Sequence, residues 1–243
     1  MDYEIYSVKV PLKDHGKPEI VEAKNKEMEN LRLYETFERV KDEGQETIGS
    51  RWVVTEKQQH DGQKQDYKAR LVAKGFQELD QPQSDSPTAA KESFKLLMAL
   101  SANFNFKIVS MDIRAAFLQA KTLDREVFVR PPTDQEEEGV IWKLLKPLYG
   151  LDDASGKFYL KVRETLNNLG LKTLPGDDAV YYQHKDGKLI GMILSHVDDF
   201  TIAGTKAFVN RIIKGIKKTF TVSKIEENHF RFTGLDVKKI MNT

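Results

Sequence analysis

The chain has 243 residues, 40% hydrophobic and 31% charged. That is enough for one large or two small domains, and it excludes collagen-like, low-complexity and wholly disordered chains. Its 38 Lys and Arg against 37 Asp and Glu leave a net charge of +1, so no whole-chain field attracts nucleic acid or membrane, and any such binding must come from local patches. The absence of cysteine excludes disulfides, thiolate metal sites and cysteine nucleophiles, and fits a reducing compartment. The acidic start Met1-Asp2-Tyr3-Glu4 is not followed by an apolar core, so no secretory signal is expected, and no run of about 18 apolar residues exists to span a membrane.

In chain order, Met1 to Glu19, with Pro11, Gly16 and Pro18, reads as an extended arm. Val21 to Phe37 turns helical, with Val21, Met28, Leu31 and Tyr34 near one face and Glu and Lys opposite. Arg51 to Val54 is a short strand, Asp61-Gly62 a hairpin signal, Tyr67 to Ala73 its partner strand, and Gln77 to Pro87 a loop. A helix is expected from Ala89 to Asn103 with Phe94, Leu97, Met98 and Leu100 inward. Strands follow at Lys107–Met111, Val127–Val129 and Ile141–Leu144, with a solvated acidic loop at Asp134–Glu138. Ser155 to Leu169 is a helix with Phe158, Val162, Leu166 and Leu169 on one face and Gly170 as C-cap. Val180–Gln183 and Leu189–Leu194 pair across Asp186-Gly187. Phe200–Gly204 is a strand, Lys206–Phe220 a basic helix, and Phe230–Ile240 a returning strand. Hairpins mixed with crossovers indicate an α+β chain.

Asp198-Asp199 lies between two apolar strand halves. Burying both unpaired would cost several kcal/mol, so the pair sits at an exposed turn or shares a cation. Asp112 ends another apolar strand. Each has an ordinary alternative, a turn for the pair and a helix N-cap for Asp112. If the two strands neighbour each other in one sheet, three carboxylates converge and need divalent cations, for which hard oxygen ligands select Mg²⁺ or Mn²⁺. Two such ions about 3.5–4 Å apart would serve phosphoryl transfer.

Six stretches occur in order: Ser50-Arg51-Trp52-Val53; Tyr67-Lys68-Ala69-Arg70-Leu71-Val72-Ala73-Lys74-Gly75-Phe76; Met111-Asp112-Ile113-Arg114-Ala115-Ala116-Phe117-Leu118; Leu148-Tyr149-Gly150-Leu151; Val197-Asp198-Asp199; and Phe232-Thr233-Gly234-Leu235. Together they resemble the reverse transcriptase of copia-type LTR retrotransposons over Val21 to Ile240. The resemblance implies the fingers and palm of a right-hand polymerase, with an antiparallel palm sheet backed by helices. It implies an N-terminal arm at 1–20, a fingers-like part at 21–105 and a palm-like part at 106–243, fingers and palm being interleaved. The family continues into thumb, connection and RNase H segments; these are not expected within the 243 residues.

By the same resemblance, Asp112, Asp198 and Asp199 are the catalytic carboxylates. They hold Mg²⁺ (or Mn²⁺) together with the backbone carbonyl of Ile113. Phe117 closes the sugar pocket against a 2′-hydroxyl, its other reading being an ordinary core Phe. Lys68 and Arg70, on one face of their strand, contact the triphosphate as charge-assisted donors; a solvated edge strand is the alternative. The basic helix, with Lys206, Arg211, Lys214, Lys217 and Lys218, lies near nucleic-acid phosphates or is simply a solvated face. Gly234 permits close backbone approach near the primer grip. The implied partners are an RNA or DNA template with primer and deoxynucleoside triphosphates, with no membrane and no stated oligomeric state. The family's life cycle places such chains in cytoplasmic virus-like particles or the nucleus.

Three departures stand out. His196 replaces the commonest Tyr before Val-Asp-Asp, as in a branch of animal elements. Asp152 and Asp153 replace Lys and Gln, and this Gln position (Asp153) is one that helps position the nucleotide. Gly156 falls where that branch has Arg, which leaves two carboxylates without a local cation. Two functional expectations follow. One is an RNA-directed DNA polymerase core that transfers nucleotides to a primer 3′-hydroxyl. The other is a catalytically impaired, truncated or co-opted relative that binds nucleic acid or a protein partner.

Overall fold

The computed structural model describes residues 7–57, 66–79 and 86–240. The Asp61-Gly62 hairpin signal, the first six residues of the expected arm and residues 80–85 of the expected loop lie outside the described residues. In chain order the elements are β1 (Ser7–Lys9), α1 (Pro18–Leu33), β2 (Phe37–Lys41), β3 (Thr47–Lys57), β4 (Asp66–Ala73), α2 (Lys91–Asn103), β5 (Lys107–Ile113), β6 (Phe128–Arg130) and β7 (Val140–Leu144). They continue as α3 (Ala154–Asn168), β8 (Lys172–Leu174), β9 (Asp177–Lys185), β10 (Lys188–His196), β11 (Asp199–Gly204), α4 (Lys206–Thr219), β12 (Val222–Glu227), β13 (His229–Phe232) and β14 (Leu235–Lys238). The chain divides into two compact units, Met1–Ser84 with Phe117–Lys157, and Asp85–Ala116 with Phe158–Thr243.

The first unit is built on a six-stranded sheet in the order β1-β3-β6-β7-β2, with β4 on the other side of β3. β3 and β4 pair antiparallel, Trp52 opposite Leu71 and Val54 opposite Ala69, and alternation buries Trp52, Val54, Ala69, Leu71 and Ala73. α1 packs on β4. The helix starts at Pro18, three residues before the expected Val21, because proline is tolerated in the first turn, where its missing N–H has no intrahelical partner. It ends before the expected Phe37, because Glu35 turns left-handed (φ 49°) and sends Phe37 into β2. The apolar stripe is Ile20, Ala23, Met28 and Leu31, while Val21 is exposed. The hydrophobic stripe also includes Glu27, only 6% exposed, whose Oε1 has no hydrogen-bond partner among the described residues.

The second unit carries a fully antiparallel six-stranded sheet, β12-β5-β11-β10-β9-β8. α2 and the hairpin β13–β14 share a core with one face of it, made of Phe94, Leu97, Ile108, Val180, Met192, Leu194, Ala203, Phe230, Phe232 and Val237. α4 packs against β5, β10 and β11 through Phe208, Val209, Ile212 and Ile216. The opposite alternation, Val109, Met111, Ile193 and Ile202, is buried as well. Gly191 and Gly204 are register partners, and a side chain at either would run into the Phe208 ring, so the helix sits close on the strands. α3 adds Phe158, Val162 and Leu166, Phe158 meeting Phe220 edge-on at 5.6 Å. Each such fully buried side chain contributes about 1.5–3 kcal/mol.

The expected strand Phe230–Ile240 is instead the hairpin β13–β14, turning at Thr233 (φ 47°) and Gly234 (φ 84°). Nothing lies within 4 Å of where a Gly234 side chain would stand. This glycine therefore serves the positive backbone angle of a tight turn, not the close backbone approach expected of it.

Burial raises the Glu27 carboxyl above its ordinary range, outweighing the Asn30 hydrogen bond and the nearby charges of Arg70 and Lys68. The folded state therefore holds this proton more tightly than the unfolded chain. That stability is fully present below the ordinary carboxylate range and is lost as pH rises through the raised value. Glu27→Gln is expected to melt higher than the parent at pH 7–8, with the gap closing near pH 4. Thermal melts of both chains across this pH range check it.

Candidate active site

The register of the second unit's sheet places four polar residues in one row on one face. His196 of β10 is opposite Asp199 of β11, Asp199 is opposite Asp112 of β5, and Asp112 is opposite Lys224 of β12. Directly opposed residues of antiparallel strands point to the same face, so Asp112 and Asp199 face the same way across one strand spacing. Asp198 stands in the turn between β10 and β11, where its carbonyl accepts a hydrogen bond from the Ile113 N–H at 3.0 Å. That bond ties the turn to the end of β5. Val197 opens the turn with φ 57°, a conformation that costs a β-branched residue about 1–3 kcal/mol and is typical of functional turns.

The Asp199 carboxyl is held above its ordinary range, first by burial and then by the neighbouring charge of Asp198. Crowded carboxylates in a half-buried setting are what a divalent cation relieves, and the all-oxygen donor set suits a hard ion. Asp112 and Asp199 thus fit a divalent cation. Among the described residues, no group of three acidic or histidine side chains is drawn together to enclose one. His196 turns toward Phe232, ring centroids 6.2 Å apart, and its Nδ1 is buried without a partner among the described residues.

In the first unit, Lys68 and Arg70 stand on the outward alternation of β4, Lys68 exposed and Arg70 half-buried. The Arg70 guanidinium lies 5.7 Å from the centroid of the Tyr149 ring, and the Phe117 ring is 5.4 Å from the same ring at 55°. Three motifs that are distant in sequence meet at Tyr149. The structure places Phe117 half-buried, beside a fully buried Leu118. Tyr149 is held by a backbone bridge to Val72, and its carbonyl accepts from the Ala73 N–H at 2.7 Å.

Asp153 is 4% exposed and is bonded to Arg125, which also holds Glu78 at 2.8 Å. Burial works against the guanidinium's charge, but the hydrogen bonds to Asp153 and Glu78 outweigh it and hold the guanidinium above its usual range. The cation that the expectation looked for at Gly156 is thus supplied by Arg125. Lys157, in turn, pairs with Asp124 at 2.7 Å. On α4, Arg211 is a structural clamp, donating to the Leu169 carbonyl at 2.8 Å and to Gln183. Lys206, Lys214 and Lys217 lie on the helix's solvated side.

A family model described as reverse transcriptase (RNA-dependent DNA polymerase) matches residues 34–243. The chain belongs to this reverse transcriptase family. It is 31% identical over 199 residues to the retrovirus-related Pol polyprotein from transposon RE1 of Arabidopsis thaliana, covering 79% of this chain and 13% of that protein. It is 28% identical over 232 residues to the Pol polyprotein from transposon TNT 1-94 of Nicotiana tabacum, covering 92% and 17%. The chain therefore spans under a fifth of the length of these curated relatives. The foamy viral protease-reverse transcriptase, solved in complex with double-stranded DNA, superposes with a TM-score of 0.51 at 13% identity, covering 93% of this chain and 35% of that one. The expected resemblance to copia-type elements is borne out, and the α+β fold with its antiparallel palm sheet is that of a reverse transcriptase.

Within this reverse transcriptase domain, residue patterns did not point to Tyr149 as a packing centre, to Arg125 or to Ser223. Tyr149 was present in a motif, but its partners Arg70 and Phe117 are distant in sequence. Arg125 has no local signature, since its two carboxylates come from positions 78 and 153.

Arg125 is 23% exposed, Glu78 11% and Asp153 5%, so removing the guanidinium strands two largely buried carboxylates. Arg125→Ala is expected to lose about 3–5 kcal/mol of stability at pH 7, and less below pH 4, where the carboxylates protonate. Urea unfolding at the two pH values checks this.

Proposed function

We propose that this chain is an RNA-directed DNA polymerase core that transfers deoxynucleotides to the 3′-hydroxyl of a primer on an RNA or DNA template. The observation that carries the proposal is the pairing of Asp199 with Asp112 on neighbouring strands, with Asp198 in the turn that β5 anchors. Asp112, Asp198 and Asp199 would hold Mg²⁺, or Mn²⁺, with the Ile113 carbonyl close by. Reverse transcriptases generally use divalent metal ions, and the bound cation would acidify the primer hydroxyl and neutralise the triphosphate.

The first unit would serve the nucleotide. Arg70, braced on Tyr149, and Lys68 on the same strand face are suited to triphosphate oxygens as charge-assisted donors. Phe117 is half-buried and leans on Tyr149, so part of its ring remains available to block a ribose 2′-hydroxyl. Asp153, occupied by Arg125, would act on the nucleotide only indirectly, by fixing the start of α3. The same pairing weakens the case for an impaired relative, because the buried carboxylate there is already neutralised.

Primer extension on poly(rA)·oligo(dT) with Mg²⁺ or Mn²⁺ tests the proposal. The chain is expected to incorporate dTTP, with Asp112→Asn and Asp199→Asn each losing about 10³-fold or more; nucleic-acid binding without incorporation would instead identify the impaired relative. In the same assay, Phe117→Ala is expected to reduce discrimination against ribonucleotides by about 10–100-fold, the scale of a relieved steric clash. An unchanged dTTP to rUTP ratio would remove the sugar-gate role.

A further inference from the structure

The ladder between β12 and β5 has a register fault at the row of acids. Val222 is opposite Ile113, but the next residue of β5, Asp112, is opposite Lys224. Ser223 is therefore the extra residue of a β-bulge placed at Asp112. Bulges bend a strand locally and re-aim the side chain at the fault. Here the Ser223 hydroxyl donates to Oδ2 of Asp112, and the Asp112 backbone carbonyl lies 3.2 Å from the same oxygen. Lys224, the cross-strand neighbour of Asp112, has its ammonium on Glu226 at 2.8 Å.

This chemistry favours a serine. A carboxylate at a strand end can rotate, whereas a metal ligand has to present one oxygen in a fixed direction. A neutral hydroxyl on Oδ2 restrains that rotation, leaves the charge on the group, and leaves Oδ1 to an incoming cation. An ammonium in the same place would neutralise the carboxylate and compete with the ion. Carboxylates that bind metals are commonly held by such outer hydrogen bonds.

We propose that Ser223 is a positioning residue for Asp112, aimed by the β12 bulge so that the carboxylate presents one oxygen to a divalent cation. This rests on the proposed role of Asp112 as a metal ligand. The test uses the full chain, Mn²⁺ alone as the probe, and the variants Ser223→Ala, Ser223→Thr and Asp112→Asn. Free Mn²⁺ is followed by electron paramagnetic resonance. The Mg²⁺ concentration for half-maximal primer extension and the KM for dTTP at saturating Mg²⁺ are measured alongside.

Ser223→Ala is expected to weaken Mn²⁺ binding and to raise the Mg²⁺ midpoint, each by about 10-fold or more. The KM for dTTP should stay as in the parent, and Ser223→Thr should restore both metal readouts. Wild-type Mn²⁺ binding and Mg²⁺ midpoint in Ser223→Ala would overturn the inference, as would a fall in kcat alone. Mn²⁺ binding weakened in Asp112→Asn but not in Ser223→Ala would overturn the serine's role while leaving the ligand assignment intact. Undiminished Mn²⁺ binding in Asp112→Asn, or none by the parent chain, would overturn the ligand assignment itself.

Discussion

Two acidic side chains, Asp199 on β11 and Asp112 on β5, face the same way across one strand spacing. At about 4 Å and an effective dielectric near 20, like charges repel by about 4 kcal/mol, and the burial of Asp199 adds to the load. A sheet accepts such a pair only where its register is already determined elsewhere. Here the determination comes from below the acids. Met192, Leu194, Ala203 and Ile108 occupy the lower rows of the same face and are buried against α2 and the β13–β14 hairpin. Slipping β11 by one residue would turn this whole set to the other face of the sheet. The core therefore holds the acids in place, and the strained Val197 turn, bonded to β5 through Asp198 and Ile113, closes the strand pair above them.

The first unit meets a related problem in another way. Its polar centre is Arg125, which neutralises Asp153 and Glu78 in one bidentate arrangement. Beside it, Gly150 adopts φ 89°, and a side chain there would run into the Ala73 carbonyl and Val72. That close approach lets the Leu148–Leu151 segment lie directly along β4, which brings Tyr149 under Arg70. A backbone contact thus places a cation that the sequence shows only as one alternating position in a strand.

Much of the fold was legible in the residues. α2, α3 and α4 follow their apolar periodicity, Gly170 caps α3 with φ 82°, and Asp186-Gly187 turns the β9–β10 hairpin as expected. The errors cluster where a local signal has two readings. Pro18 looks like part of an arm but is a first-turn proline, and Glu35 ends α1 although the aromatic spacing runs on to Phe37. β12 went unseen because its bulge breaks the two-residue alternation. Val222 and Ile225 are both partly buried three positions apart, with exposed Ser223 and Lys224 between them. The feature that hides the strand is the one that turns Ser223 toward Asp112.

By itself the sequence determined the chemistry available: three aspartates at strand ends, two cations on one strand face, an aromatic after the first aspartate, and no thiol. It also determined the family, because six short motifs in order are far more specific than any one of them. The tertiary structure alone decided which of these groups are neighbours and which are already engaged. Register placed Asp199 against Asp112, a bulge brought Ser223 to the same carboxylate, and chain crossings paired Asp153 with Arg125 and Arg70 with Tyr149. Periodicity is a property of one segment, whereas charge compensation and aromatic stacking join segments separated by tens of residues. No local pattern carries that information.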